Sequence, residues 1–230
     1  PDCICKLIPL DSEVDKDLRP ILELGGKGVF VKRLEEALVM GDADIAVHSL
    51  KDVPADLNNE FQIVATLERA NPSDSIIFKE SITLDQLEDK SIVATSSPRR
   101  AAQIKLFNPN LEICPVRGNI HTRIKNLQDD DFDALVIATA ALDRLQLNLE
   151  NVEKLDSSVM LPAATQAIIG IEVARDINLE KLEIIKSINH YETYFIASVE
   201  RKIIKYLEGD CNSAIALMCK KVKDSVFEMN

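Results

Sequence analysis

The amino-acid sequence predicts an α/β protein in which buried strands alternate with amphipathic helices. The chain has 230 residues, of which 46% are hydrophobic, so it can bury the cores of two or more domains. Short apolar runs recur along the chain, and residues between them show helical spacing. Strands that are apolar on both faces and alternate with helices are typical of a parallel, doubly wound sheet.

Short apolar runs predict seven buried strands. In chain order they are CKLIPL (5–10), ADIAVHSL (43–50), FQIVATLE (61–68), SIIFK (75–79), SIVATS (91–96), EICPV (112–116) and DALVIATA (133–140). Two sets of apolar residues, each sharing one helical face, predict two of the connecting helices: Phe30, Leu34, Ala37 and Leu38, and Ile120, Ile124 and Leu127. From about residue 171 to residue 208 the pattern is mainly helical.

Charge and composition exclude several classes of function. The 27 basic and 38 acidic residues give a net charge of −11, and such a surface repels nucleic acid. No run reaches the roughly 20 apolar residues that a transmembrane helix needs. The first ten residues lack the layout of a signal peptide. We therefore expect a cytoplasmic protein with no membrane or nucleic-acid partner.

The cysteines indicate reduced thiols rather than a disulfide framework or a metal site. There are five of them, Cys3, Cys5, Cys114, Cys211 and Cys219, an odd and scattered set without C-x-x-C spacing. This usage is typical of a reducing compartment, and it predicts no bound metal.

One predicted helix begins with two arginines. Ser96 and Ser97 suit its N-cap, and Pro98 suits its first position. Arg99 and Arg100 then fall in the first turn, where the helix dipole disfavours cations by about 0.3–1 kcal/mol each. We expect an anion, held by backbone amides and guanidinium groups, to compensate for this cost.

Polar and charged residues follow several predicted strands at their carboxyl ends: Ser49–Asp52, Ser96–Arg100 and Arg117–Asn119. Asn119 suits the N-cap of a helix that carries Arg123, and Arg144 follows another strand by about one helical turn. Ligands of open α/β sheets bind beyond the carboxyl ends of the strands. The sequence thus predicts a crevice in which five arginines and Lys51 bind several carboxylates or phosphates.

Taken singly, these residues have simpler interpretations. One arginine is most often a surface or ion-pair residue, Asp52 is a turn or cap residue, and His48 is a packed or hydrogen-bonded histidine. The GGKG segment at 25–28 is too short to indicate a phosphate-binding loop and is typical of a flexible hinge. The recurrence of arginines at equivalent strand–helix junctions favours a ligand site.

Six segments together resemble the porphobilinogen deaminase family, also called hydroxymethylbilane synthases. They are GGKGVFVKRLEEAL, ADIAVHSLKDVP, ATSSPRRAAQ, VRGNIHTRI, ALVIATAALDRL and LPAATQAIIGIE, in the order in which the family has them. The resemblance covers about residues 5 to 218. HSLKDVP, TSSPRR and VRGN-x-x-TR are highly specific in combination.

The resemblance implies a transferase of tetrapyrrole (porphyrin and haem) biosynthesis. The family joins four porphobilinogen molecules head to tail with loss of ammonia, and it carries a dipyrromethane cofactor on a cysteine thioether. The matching cysteine is Cys211, in EGDCNSAIA. Asp52 matches the catalytic aspartate, which stabilises positive charge on the pyrrole nitrogens during loss of ammonia and coupling.

Because each pyrrole ring carries an acetate and a propionate, the resemblance also implies a set of residues that hold carboxylates. The cofactor-binding residues are Ser49, Lys51, Thr95, Ser97, Arg99, Arg100, Arg117, Gly118 and Asn119. The substrate-binding residues are Phe30, Arg123, Arg144 and Gln166.

The family fold has two periplasmic-binding-protein-like, doubly wound α/β domains and a smaller α+β third domain. We place domain 1 at 1–68 and 164–186, domain 2 at 72–162, and domain 3 at 190–230, with the site in the cleft between the first two. Relative to the family pattern we expect a chain truncated at both ends, without the first strand and helix and without most of domain 3. The resemblance further implies a monomer.

Two alternatives to a working enzyme remain open at this point. The first alternative is a truncated or decayed paralogue that binds pyrroles without turnover. The second is a solute-binding or effector-sensing module of the same fold. Ser49, Lys51, Asp52 and Cys211, all in register with the family, favour the enzyme over the sensor.

Overall fold

A computed structural model describes residues 3–10, 29–129, 132–209 and 213–230. The chain divides into two compact units, the first comprising Pro1–Arg69 and Ile168–Asp210 and the second Ala70–Ala167 and Cys211–Asn230. Helices accompany a sheet in each unit, which confirms the predicted α/β class. The boundary of a third domain stays a prediction.

The described residues form six α-helices and ten strands. The helices are α1 (Val29–Met40), α2 (Pro98–Phe107), α3 (Ile120–Asp129), α4 (Thr139–Arg144), α5 (Leu179–Lys186) and α6 (Tyr191–Tyr206). The strands are β1 (Ala46–Ser49), β2 (Phe61–Thr66), β3 (Asp74–Phe78), β4 (Ile92–Ala94), β5 (Glu112–Cys114), β6 (Ala134–Ala138), β7 (Val152–Lys154), β8 (Ile169–Ala174), β9 (Cys219–Lys223) and β10 (Val226–Met229).

The first unit contains a three-stranded sheet in the order β1-β8-β2, with β8 antiparallel to both neighbours. One expectation is corrected here, because the strands are not all parallel. The prediction that residues 171–208 are mainly helical is confirmed, since α5 and α6 follow the end of β8. Ile171 and Val173 of β8 are buried against Ala65 and Ile185. Their β-branched side chains suit a half-buried pleated surface.

The prediction of a strand at CKLIPL (5–10), the first of the seven, is wrong. Residues 3–10 have no regular structure, and Ile4 and Leu7 are 99% and 88% exposed. None of the described strands pairs with this segment. An isolated strand leaves its backbone amides and carbonyls without partners, so apolar composition alone does not make it a strand.

The second unit contains a five-stranded mixed sheet in the order β5-β4-β6-β3-β7. Strand β4 runs parallel to β5 and β6, whereas β3 runs antiparallel to β6 and β7. Two successive side chains of β3 enter different hydrophobic cores. Ile76 packs with Ile104 and Val136, and Ile77 packs with Leu127. Strands β9 and β10 form a separate antiparallel pair.

Within the described parts of the chain, no helix combines the length and the apolar character needed to cross a membrane.

Candidate functional site

The start of α2 buries two arginines inside the second unit. The Ser97 side chain accepts the Arg100 amide at 3.4 Å, and Pro98 occupies the first turn, as predicted. Thr95 precedes the cap, and its hydroxyl accepts the Ser97 amide at 3.1 Å. Arg99 and Arg100 are only 4% and 7% exposed, so they are not solvated surface charges.

Both guanidinium groups bind the carboxylate of Asp74, the first residue of β3. Arg99 donates from Nη2 to Oδ2 at 2.8 Å. Arg100 donates from Nη2 and Nε to Oδ1 at 2.7 and 3.1 Å. Asp74 has no exposed surface, so this ion pair is fully internal.

Gln166 and three backbone carbonyls complete this arrangement. The Gln166 amide donates to Asp74 Oδ1 at 3.0 Å and to the carbonyl of Pro72 at 2.7 Å. Arg99 Nη1 donates to the carbonyl of Leu161 at 2.7 Å, and Arg100 Nη1 donates to that of Val136 at 3.1 Å. We call Asp74, Arg99, Arg100 and Gln166 the arginine–aspartate cluster.

The cluster carries more positive than negative charge. Burial acts to raise the pKa of Asp74, but the charges of Arg100 and Arg99 outweigh it and hold that pKa below its ordinary value. Two guanidinium groups and one carboxylate leave one net positive charge. We expected a ligand to supply the anion at this helix start; Asp74 supplies one, and the excess positive charge favours a second.

Replacing Asp74 with asparagine should lower the free energy of unfolding by about 3–5 kcal/mol, because two buried guanidinium groups lose their counter-charge. Urea unfolding at pH 7 measures this loss. Asp143→Asn, an exposed carboxylate in the same unit, is the control and should change stability by less than about 0.5 kcal/mol. Equal effects of the two substitutions would contradict the role of Asp74.

The same substitution has a defined pH dependence. A carboxyl group whose folded pKa is depressed contributes stability above its unfolded pKa, about 3.9, and loses that contribution as the pH falls towards the folded value. The difference in free energy of unfolding between the parent and Asp74→Asn should therefore be largest near neutral pH and should become smaller below about pH 3.9.

The loop before α3 positions a second basic segment. Asn119 accepts the Thr122 amide at 2.9 Å, which confirms the predicted cap. Arg123 Nε donates to the carbonyl of Gly118 at 2.7 Å, so this arginine is folded back onto the loop that contains Arg117. Gly118 has a φ of +93°, and a Cβ there would lie 2.8 Å from Cγ2 of Thr122.

Gly118→Ala should therefore destabilise the protein by about 1–3 kcal/mol, through backbone strain together with a steric clash. Gly41 separates the two causes, because its φ is +72° but no atom lies within 4 Å of a Cβ built there. In thermal unfolding, the melting temperature should fall further in Gly118→Ala than in Gly41→Ala. A larger loss for Gly41→Ala would show that the Thr122 contact is unimportant.

Arg144, at the end of α4, donates from Nη2 to the carbonyl of Ala167 at 3.1 Å. It thus contacts the residue that follows Gln166. Thr165 and Ala167, which flank Gln166, have φ values of +56° and +69°. Residues other than glycine rarely adopt positive φ values, so the backbone is strained on both sides of Gln166.

In the first unit, the candidate catalytic residues follow β1. Ser49 ends the strand, and a short 3-10 helix, Leu50–Asp52, carries Lys51 and Asp52. Leu50 is fully buried, and its amide donates to the carbonyl of Ile168 at 2.9 Å. Asp52 is exposed, and no hydrogen bond or ion pair to its side chain occurs among the described residues.

Buried polar contacts hold this segment from both sides. His48 Nε2 lies 2.8 Å from Oε2 of Glu172 on β8, which confirms the interpretation of His48 as a hydrogen-bonded core residue. After Asp52, Arg201 of α6 donates to the carbonyls of Val53 and Pro54 at 3.1 and 2.6 Å. The exposed Asp52 therefore lies between two anchored positions.

Two predicted site residues cannot be placed. Cys211 lies outside the described residues. Phe30 lies in the first turn of α1, but its side chain is not among those described. Within the described ranges there is no group of three or more histidine, cysteine, aspartate or glutamate residues that could hold a metal ion.

Three polar residues that shape these segments were not predicted: Asp74, Glu172 and Arg201. A carboxylate at each of two otherwise apolar strands, DSIIF and IGIEVA, was the available signal for the first two. Charged residues are almost never fully buried unless they are paired. Arg201 lies in an amphipathic helix and gives no comparable signal.

Comparison with known proteins identifies related sequences over most of the chain. Residues 2–181 match a family described as porphobilinogen deaminase, dipyromethane cofactor binding domain. A porphobilinogen deaminase of Lawsonia intracellularis is 42% identical over 205 residues, which cover 88% of this chain and 66% of the relative. One of Neisseria meningitidis is 40% identical over 95% of this chain and 70% of the relative.

A third relative, a porphobilinogen deaminase of Clostridium botulinum, is 37% identical over 99% of this chain and 78% of its own length. The chain thus spans about two thirds to four fifths of the relatives that it matches. Among solved structures, a probable amino-acid ABC transporter extracellular-binding protein of Bacillus subtilis is similar with a TM-score of 0.45 and 13% identity, over 77% of this chain and 76% of that chain.

Proposed function

This chain belongs to the porphobilinogen deaminase family, and on that premise we propose that it acts as a hydroxymethylbilane synthase. The proposed reaction joins four porphobilinogen molecules head to tail. At each step the aminomethyl nitrogen of one pyrrole unit leaves as ammonia. The free α-carbon of the other unit then forms a carbon–carbon bond to the methylene carbon left behind, and that ring carbon loses its proton. The family match over residues 2–181, which includes Ser49–Asp52 and Thr95–Arg100, carries this proposal.

The charge of the arginine–aspartate cluster supports a substrate rich in carboxylates. Each porphobilinogen unit brings one acetate and one propionate, and the cluster holds one excess positive charge in a buried setting. Guanidinium groups bind carboxylates through two parallel hydrogen bonds, which gives directional as well as electrostatic selectivity. We assign Arg123, Arg144, Phe30 and Gln166 to binding of the incoming substrate.

The matching family domain binds a dipyrromethane cofactor, and the residues present fit such a group. It carries four carboxylates, and the chain supplies basic and hydrogen-bonding side chains for them. The residues that we propose for this role are Ser49, Lys51, Thr95, Ser97, Arg99, Arg100, Arg117, Gly118 and Asn119. Bound through a thioether to Cys211, the cofactor supplies a fixed pyrrole end from which the chain of rings grows.

We propose that Asp52 is the catalytic residue. An exposed carboxylate on a segment anchored by His48 and Arg201 can approach a substrate without breaking an internal contact. Its negative charge stabilises positive charge on a pyrrole nitrogen when ammonia leaves. It also accepts and returns the N–H proton during that step.

The proposed enzyme is a cytoplasmic monomer that takes porphobilinogen as its small-molecule substrate. The experiment is to purify the chain, measure its intact mass, and incubate it with porphobilinogen. A covalent adduct of two pyrrole rings, followed by release of ammonia and formation of a linear tetrapyrrole, is the expected result. Non-covalent pyrrole binding without ammonia release would identify a binding-only paralogue, and no pyrrole binding would favour a solute-binding or sensing module.

A further inference from the structure

A pocket in the first unit borders the segment that carries Asp52, with Leu50 in its wall, but Asp52 is not among the residues that line it. It is bounded by β2, α6 and the loop after the 3-10 helix, and its volume is about 440 Å³. Its lining includes four basic residues, Arg175, Arg201, Lys202 and Lys205, and one carboxylate, Asp56. We call it the basic pocket. In a protein of net charge −11, such a local excess of positive charge is an exception.

Not all of these charges are available to a ligand. Lys205 forms an ion pair with Asp56 at 2.6 Å, and Arg201 donates to the carbonyls of the loop. Burial lowers the pKa of Arg201, and the nearby charge of Glu172 opposes that shift, so this arginine has a compensating carboxylate. These contacts are internal to the unit.

Two cations of the basic pocket form no hydrogen bond or ion pair with another described residue. Arg175 and Lys202 are exposed, and neither side chain has a hydrogen-bond or ion-pair partner among the described residues. They come from different elements, the end of the sheet and α6, and both line the pocket. The positive charge that remains after internal pairing therefore faces the cavity.

A buried hydroxyl provides a second, independent observation. Thr66, at the end of β2, lines the pocket and has no exposed surface, yet its Oγ1 has no hydrogen-bond partner. A buried hydroxyl without a partner destabilises a fold, so such groups normally have one. A small opening of the pocket wall would let this hydroxyl donate the missing hydrogen bond to an anionic oxygen in the pocket.

We propose that the basic pocket binds a small multivalent anion, with Arg175 and Lys202 as its counter-charges and the Thr66 hydroxyl as a hydrogen-bond donor. The shared chemistry is a compact group of anionic oxygens, either carboxylates or phosphates. This proposal does not depend on the proposed enzymatic function, because all of its residues lie in the first unit, outside the residues assigned to pyrrole chemistry.

Calorimetric titration of the purified chain with citrate and with inorganic pyrophosphate, at low ionic strength, tests the proposal and distinguishes the two kinds of anion. Arg175→Gln/Lys202→Gln should weaken binding of the preferred anion at least ~10-fold. Lys181→Gln/Lys186→Gln removes two exposed lysines of the same unit and should leave binding unchanged. Failure of both anions to bind, or equal binding to the parent and Arg175→Gln/Lys202→Gln, would overturn the proposal.

Thr66→Val adds a readout that a purely electrostatic surface would not give. Because the hydroxyl has no internal partner, the variant should unfold at the same or a higher temperature than the parent without ligand. With the anion present, it should bind more weakly than the parent. Unchanged anion affinity in Thr66→Val would remove the hydroxyl from the site and contradict the proposed geometry.

Discussion

Asp52→Asn should reduce the turnover of porphobilinogen by about 10²- to 10⁴-fold, the range expected when a charged acid–base group is lost. Asparagine keeps the size of the side chain but removes the negative charge that stabilises cationic pyrroles. The structure predicts little effect on folding, because Asp52 is exposed and its side chain has no partner among the described residues. The free energy of unfolding should stay within about 0.5 kcal/mol of the parent.

The separation of kcat from KM identifies the role of Asp52. An interaction made only in the transition state changes kcat and kcat/KM together, whereas a group that merely binds substrate changes KM. Steady-state rates of ammonia release measure both constants. Asp176→Asn, another exposed carboxylate of the first unit, is the matched control and should keep the parental rate. A near-parental kcat in Asp52→Asn would remove Asp52 from the catalytic step.

Local signals predicted the site-bearing turns correctly. Ser97 and Asn119 were recognisable as helix caps because a cap depends on the residue itself and on the next three positions. The places of Pro98 at the start of α2 and of Arg144 at the end of α4 were predictable for the same reason, because each depends only on residues that are close in sequence. Such features need no knowledge of the rest of the fold.

Partners that are distant in sequence were not predictable in this way. Asp74 meets Arg99 and Arg100 some 25 residues later in the chain, and Gln166 joins them from 92 residues away. The arginines themselves suggested an anion, but a ligand and an internal carboxylate satisfy that requirement equally well. Only the fold shows that Asp74 is fully buried between them.

Strand β8 was not among the seven predicted strands, and its sequence shows why. Gly170 and Glu172 interrupt its apolar pattern, and both are explained by residues from β1 and the turn after it. A Cβ on Gly170 would lie 2.7 Å from Leu50 Cδ1, and Glu172 contacts His48. The glycine permits close packing and the glutamate has a buried partner, so the strand tolerates residues that are otherwise depleted in strands.

The segment at 5–10 shows the opposite error. Its apolar composition is that of a strand, but a strand forms only where a neighbour supplies hydrogen bonds, and no described strand does so. Six of the seven predicted strands have such neighbours and are present. Composition predicted the potential for a strand, and pairing decided it.

Cys211→Ser should abolish attachment of the dipyrromethane cofactor. Attachment needs a sulfur nucleophile, and a serine hydroxyl is a far weaker nucleophile at neutral pH. Cys211 lies outside the described residues, so the argument rests on the resemblance of its segment, EGDCNSAIA, to the family and on the other four thiols. Of those, Cys114 is half-buried and Cys219 is buried, whereas Cys3 and Cys5 are exposed.

The two exposed thiols therefore provide the sharpest controls for Cys211→Ser. If exposure alone selected the attachment point, Cys3→Ser/Cys5→Ser would lose the pyrrole adduct and Cys211→Ser would keep it. We expect the reverse, measured by intact mass and by the colour reaction of bound pyrroles with an acidic aldehyde reagent. Because the proposed turnover starts from the attached cofactor, Cys211→Ser should also lose ammonia release, whereas Asp52→Asn should keep the adduct while losing most of its turnover. An adduct that survives in Cys211→Ser, or that peptide mapping places on another cysteine, would show that the cofactor is attached elsewhere.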